Sequence, residues 1–312
     1  MPLDPQARQI IEQAAAATLP PYPTLTPPEA RRAMEQRAAG IEWGPQPLAA
    51  VAELQIPGPG AELNTRVYTP DGTTPLPVLL YFHGGGWVLG SVETHDNLCR
   101  ALAVAAGCVV ISVDYRLAPE NKFPAAALDC FAALNWLSAN AARLGADPER
   151  IAIGGDSSGA NLATVTCLMA REQSRPMPIF QLLFYPVTNF AFDTPSYLEN
   201  GEGYMLSRDD MKWFWNHYLP SDADGRNALA SPLRAVDLRG LPPTLVITAG
   251  YDPLRDEAEA YAARLKAAGV STSLIRYEGM IHGFLRWAPV LDEARKAIDQ
   301  AAEALKSALV YK

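Results

Sequence analysis

Ile151-Ala-Ile-Gly-Gly-Asp-Ser-Ser-Gly-Ala-Asn161 runs from a short β-branched apolar stretch, Ile151 to Ile153, into the pentapeptide Gly155-Asp-Ser-Ser-Gly159, and helix-forming Leu162 to Ala170 follows. The pattern G-x-S-x-G turns a strand sharply into a helix and lifts the central hydroxyl, here Ser157, clear of the packed backbone. Gly155 and Gly159 fit that turn because a side chain at either place would crowd it. Strand, turn and helix stand in the order that a nucleophile elbow demands.

Working outward, Leu76-Pro-Val-Leu-Leu-Tyr-Phe82 and Cys108-Val-Val-Ile-Ser-Val113 precede the elbow as near-continuous apolar strands, with Arg66 to Thr69 as a further strand before Pro70-Asp-Gly72. Ile179 to Tyr185, Thr244 to Gly250 and Thr272 to Tyr277 follow it, and helical stretches at 125–144, 256–268 and 289–308 alternate with them. Such alternation predicts an α/β fold, a mostly parallel sheet covered by helices on both faces. Two parts fall outside the rhythm. Residues 1–48 read as an N-terminal arm of two helical stretches around the Pro-rich Leu19 to Pro28, and 187–227 as an insertion holding Trp213-Phe-Trp-Asn-His-Tyr218. The first reads equally as a lid or as an ordinary N-terminal arm; packed against the insertion it would make a small helical cap on a core made of 49–186 and 228–312.

Phe82 leads directly into His83-Gly-Gly-Gly-Trp87. Three glycines after a buried strand cost backbone entropy unless bare amides are wanted, and an oxyanion hole wants them. Gly84, Gly85 and Gly86 are the loop's candidates, with Gly85 and Gly86 best placed. Ser158 joins them as the residue after the nucleophile, at a helix N-terminus where the dipole favours an anion. His83 reads as an orienting residue.

Ser157, Asp252 and His282 each lie just past a strand and occur in the chain order Ser, Asp, His. A serine hydroxyl needs a base, and the imidazole needs a carboxylate to fix its tautomer, so each has one role. The other nearby acids, Asp156, Asp256 and Glu278, read as structural, with Asp156 directed away from the elbow. His95 and His217 read as solvated or locally bonded rings. Trp87, Tyr185, Met205, Leu206 and Phe214 are candidate pocket residues.

Composition sets bounds on partners. The chain has 312 residues, with 34 acidic against 26 basic and a net charge of −8, without a basic cluster. Nucleic acid and anionic membrane are therefore disfavoured. The first residues lack the basic start and apolar core of a secretory signal, which makes a cytoplasmic location the expectation. Cys99, Cys108, Cys130 and Cys167, in apolar surroundings without C-x-x-C spacing, read as buried thiols.

His83-Gly-Gly-Gly-Trp87, Asp114-Tyr-Arg-Leu-Ala-Pro-Glu120, Phe123-Pro-Ala125, Gly155-Asp-Ser-Ser-Gly159, Asp252-Pro-Leu254 and His282-Gly-Phe284 together resemble the hormone-sensitive-lipase-like carboxylesterases of the α/β-hydrolase superfamily. The resemblance implies hydrolysis of short- or medium-chain acyl esters through an acyl-enzyme, a small-molecule ester as partner, no cofactor or metal, and a monomer or homodimer. It places Ser158 where the family more often has Ala or Gly, a change that a backbone donor tolerates. The gibberellin receptors resemble the same family but lack the histidine, so a binder is the rival from another class. Amidase, lactonase or peptidase chemistry is the rival among enzymes, because leaving-group choice lives in the pocket.

Overall fold

A computed structural model describes residues 1–17 and 20–310; Leu19, at the start of the Pro-rich stretch, lies outside them. Eight strands form one sheet: β1 (Ala50–Pro57), β2 (Glu62–Thr69), β3 (Leu76–Phe82), β4 (Val109–Asp114), β5 (Ala146–Asp156), β6 (Phe180–Phe184), β7 (Thr244–Tyr251) and β8 (Thr272–Ile281). Their spatial order is β1-β2-β4-β3-β5-β6-β7-β8. β1 and β2 are antiparallel to their neighbours, and β4 through β8 run parallel. Parallel pairing brings all the carboxyl ends to one edge, as in the pairs Phe82 with Gly155, Asp156 with Phe184, and Tyr251 with Ile281.

Successive side chains of a strand point to opposite faces, and here both faces are buried. Val78, Leu80 and Phe82 of β3 join Ile151 and Ile153 of β5 in one core, while Leu79, Tyr81 and Ala152 join the other. The first core is covered by α4 (Ala125–Asn140), α5 (Ser158–Glu172) and α8 (Arg255–Ala267), the second by α3 (Asp96–Ala106) and α9 (Asp292–Leu309). The double burial explains why these strands read as unbroken apolar runs. All four cysteines are buried and unpaired.

The N-terminal arm supplies two helices with different seats. α1 (Pro5–Ala16), capped by the Asp4 carboxylate, packs beside β8, where the Asp4 amide donates to the Gly279 carbonyl at 3.1 Å. α2 (Pro27–Ala39) starts with a Thr26/Glu29 capping box and leans over the sheet edge near Ser157. Arg31 ties it down, donating to the Val88 and Ala118 carbonyls, both at 2.8 Å, and pairing with Glu120. Residues 187–227 contribute α6 (Pro195–Asn200) and α7 (Arg208–Tyr218). The Tyr22 ring lies 6.2 Å from Trp213 and 5.7 Å from Phe214, which joins the arm to α7.

Several elements differ from the sequence reading: β1 and α3 stand outside it, and β5 begins at Ala146 rather than Ile151. β8 continues through Glu278-Gly-Met to Ile281, because a register shift against β7 between Ala249 and Tyr251 keeps the pairing alive. Gly250 permits that irregularity, since a Cβ there would strike the Glu278 carbonyl. The last helix begins at Asp292 rather than Pro289. Among the described residues no helix is long and apolar enough to cross a membrane.

Candidate active site

The elbow places Ser157 at φ 55°, ψ −118°, a conformation that L-residues rarely adopt. Close approach enforces it: a Cβ on Gly155 or Gly159 would run into the Phe82 carbonyl. The Ser157 amide donates to the Phe184 carbonyl at 2.8 Å, and Asn161 clamps the next loop through Val187 and Ala230, each at 2.9 Å. The hydroxyl is thereby held on a rigid base at the carboxyl edge of the sheet.

His282, directly after β8, points its Nε2 at the Ser157 Oγ, 3.0 Å away. Its Nδ1 lies 2.7 Å from the Asp252 Oδ2. Asp252 is fully buried, and its Oδ1 accepts the Leu254 amide at 2.8 Å. A carboxylate can only accept, so Nδ1 carries the proton and Nε2 presents a lone pair to the serine. The structure thus brings together the three residues that sequence order singled out. The Tyr185 ring supports the imidazole from the side at 4.7 Å.

The glycine loop is held by a buried network. The Gly84 amide donates to the Asp156 Oδ1 at 2.9 Å, which removes it from the expected oxyanion donors, and a Cβ on Gly84 would collide with the same carboxylate. Gly85 and Gly86 adopt φ of +127° and +60°, and their amides donate to no protein acceptor among the described residues. Side chains are excluded at both: a Cβ would meet the Leu89 carbonyl at Gly85 and the Phe214 ring at Gly86. His83 is buried, with Nδ1 2.9 Å from the Gly84 carbonyl and its ring stacked on Tyr115. Burial, with His95 nearby, pushes its pKa down to about 3, so it stays neutral and orients the loop.

Two side chains behave otherwise than their sequence neighbourhood suggests. Asp156, read as structural and directed away from the elbow, turns to the glycine loop: it is buried and also takes the Tyr81 hydroxyl at 2.8 Å. Burial acts to raise its pKa, but His95, Tyr81 and Arg286 outweigh this and hold the carboxyl well below the usual range. His95 is neither solvated nor bonded only to its neighbours. It is buried, with Nε2 3.3 Å from Asp156 and Nδ1 2.9 Å from the Thr94 hydroxyl. The contact joins residues 61 apart, which no local pattern displays. His217 is locally bonded, to the Trp213 carbonyl. Asp256 accepts from Ser196 and Arg255, and Glu278 sits 3.6 Å from Arg276, away from the imidazole's hydrogen bonds.

A cavity of about 80 Å³ opens on Ser157, His282 and the glycine loop, and Met205, Leu206 and Phe214 line it. Trp87 and Tyr185 do not. The Trp87 indole stacks on Tyr218 at 4.2 Å and 5°, in the packing beneath α7, and Tyr185 is buried behind His282. Tyr22, Met34, Leu89, Met211, Arg37 and Arg286 line the cavity without having been singled out from sequence. Met34 follows Ala30 at helical spacing, a signal of a buried face but not of what that face covers.

A family model described as alpha/beta hydrolase fold matches residues 79–286. The chain is 46% identical over 248 residues to the carboxylic ester hydrolase LipN of Mycobacterium tuberculosis, a match covering 78% of this chain and 66% of that protein. It is 36% identical over 307 residues to the ethyl acetate hydrolase of Pseudomonas putida, covering 96% of each. Among solved structures, a hyperthermophilic esterase from Pyrobaculum calidifontis superposes with a TM-score of 0.93 at 45% identity, covering 98% of this chain and 99% of that one.

Proposed function

Since this chain belongs to the α/β-hydrolase family, among its hormone-sensitive-lipase-like carboxylesterases, we propose that it hydrolyses short- to medium-chain acyl esters through an acyl-enzyme on Ser157. The observation that carries this reading is the continuous chain from the Ser157 Oγ through His282 to Asp252, at 3.0 and 2.7 Å. As the Oγ attacks the ester carbonyl, His282 takes its proton, and Asp252 stabilises the imidazolium that forms. The tetrahedral oxyanion accepts hydrogen bonds from the amides of Gly85, Gly86 and Ser158. Removing one such donor costs about 3–4 kcal/mol of transition-state stabilisation in comparable sites. His282 then protonates the departing alcohol, and a water activated by the same imidazole releases the acid.

The small chamber at Ser157 favours short acyl groups. Tyr22 and Met34 from the arm and Met205, Leu206 and Phe214 from the 187–227 segment line it together, which supports a two-part cap over a core of 49–186 and 228–312. The test is turnover of p-nitrophenyl esters from acetate to palmitate, with Ser157→Ala in parallel. The expected result is a maximum among the shorter chains and none of that turnover in the variant. Equal rates in a folded Ser157→Ala protein would overturn the proposal.

A further inference from the structure

A second cavity of about 180 Å³ adjoins the chamber at Ser157, and Tyr22, Met34, Met205, Arg37 and Arg286 line both. A substrate reaching outward from the serine therefore passes two guanidinium groups at the junction. In this acidic chain the other arginines near the cleft are matched to carboxylates: Arg31 to Glu120, Arg66 to Glu53, Glu93 and Asp96, and Arg100 to Asp96. Arg37 and Arg286 are not. Arg37 donates to the Tyr22 hydroxyl at 3.3 Å and lies 5.3 Å over that ring, and its buried Nε meets no acceptor among the described residues. The Arg286 side chain, four residues after His282, makes no hydrogen bond or ion pair with a described residue, and its Nε is likewise buried.

The carboxylates of the neighbourhood are engaged elsewhere. Asp156 is hydrogen-bonded by Gly84, Tyr81 and His95 and feels Arg286 only through space, Asp210 is bonded by Ser207 and feels Arg37 only through space, and Glu93 and Asp96 are held by the arginines just named. Glu35, at the outer cavity, is exposed. A buried guanidinium N–H without an acceptor is costly, and a planar fork of donors matches a carboxylate in two parallel bonds.

We propose that Arg37 and Arg286 form an anion subsite in this cleft and that the preferred substrates are esters carrying a second, ionised carboxyl group. The inference rests on the esterase reading above and adds the substrate class. The reaction remains acyl transfer to water: the ester C–O bond breaks, water supplies the new oxygen, and nothing is oxidised or reduced. The carboxylate can belong to the acyl part, as in a monoester of a short dicarboxylic acid, or to the alcohol part, as in the acetyl ester of a short hydroxy acid.

The test compares kcat/KM for monoethyl succinate with that for ethyl pentanoate, and for acetylated short hydroxy acids with alkyl acetates, in the wild type, Arg37→Gln and Arg286→Gln. A ratio is unaffected by a general loss of activity. The wild type is expected to favour the anionic member of one pair, which identifies the side that carries the charge. In at least one variant that ratio should fall about tenfold or more, the size of one charge-assisted contact. Ratios within about twofold of wild type in both variants would overturn the subsite, being too small for such a contact. Calorimetric titration of monoethyl succinate and of acetylated hydroxy acid into Ser157→Ala protein, with and without Arg286→Gln, reads the subsite independently of turnover. Binding weakened by the arginine change in a protein whose wild type hydrolyses no ester would uphold the subsite and refute the esterase reading. Binding unaffected by the change, beside ordinary ester turnover, would do the reverse.

Discussion

Ser157 occupies a backbone conformation worth about 1–3 kcal/mol of strain for a residue with a side chain. Glycine relieves most of it while losing about 0.5–1 kcal/mol to entropy. Ser157→Gly is therefore predicted to raise stability by roughly 1 kcal/mol in urea unfolding while ester turnover disappears; a destabilised variant would show that the elbow holds no strain. Gly86 tests the loop in the opposite direction. A Cβ there would enter the Phe214 ring at φ +60°, so Gly86→Ala should displace its amide and lower kcat by about 10²–10³. A kcat near wild type would remove Gly86 from the oxyanion donors.

Glu257 carries a pH prediction. It is buried in α8, its Oε1 accepts the Thr188 and Asn189 amides at 2.6 and 3.0 Å, and its Oε2 has no partner among the described residues. Burial, reinforced by the charge of Asp252, pushes its pKa up to about 8 from an ordinary 4.5. The native state thus holds a proton that the unfolded chain releases above 4.5. This contribution to stability is complete below that pH, declines as pH rises toward 8, and is flat beyond. In urea titrations between pH 5 and 8, Glu257→Gln should remove most of that decline. An identical slope in both proteins would contradict the assignment.

At the scale of elements, α2 is the piece that completes the cleft, and Arg31 is its main polar anchor. Two carbonyl bonds and a half-exposed ion pair are worth together about 1–3 kcal/mol, of which the ion pair is the smaller part. Arg31→Ala should cost that much in unfolding free energy and flatten the chain-length profile of ester turnover. An unchanged profile would show that α2 does not shape the pocket. Much of this level was legible in the sequence. Val109 to Val113 and Ile151 to Ile153 are buried on both faces, and that is what an unbroken apolar run encodes. The turn residues around Ser157 and the glycine loop are dictated by backbone geometry, which depends on near neighbours. What stayed hidden depends on distant ones: the seat of α2, the partner of His95, and the continuation of β8 past a bulge that only β7 imposes. The place of Trp87 is hidden for the same reason, since α7 rather than the adjacent glycines decides where its indole packs.

For the whole molecule, the parallel sheet gathers Ser157, Asp252 and His282 from three strand ends within 125 residues of sequence, and side chains of α2 and α7 line the cavity at them. The most direct test of the account is mass spectrometry of the protein after incubation with a p-nitrophenyl alkylphosphonate, whose phosphorus mimics the tetrahedral carbon of the reaction. The account predicts one adduct per chain, on Ser157, formed in step with loss of esterase activity and absent in His282→Ala within the same time. Full esterase activity surviving complete modification of Ser157, or inactivation with the adduct on another residue, would contradict it.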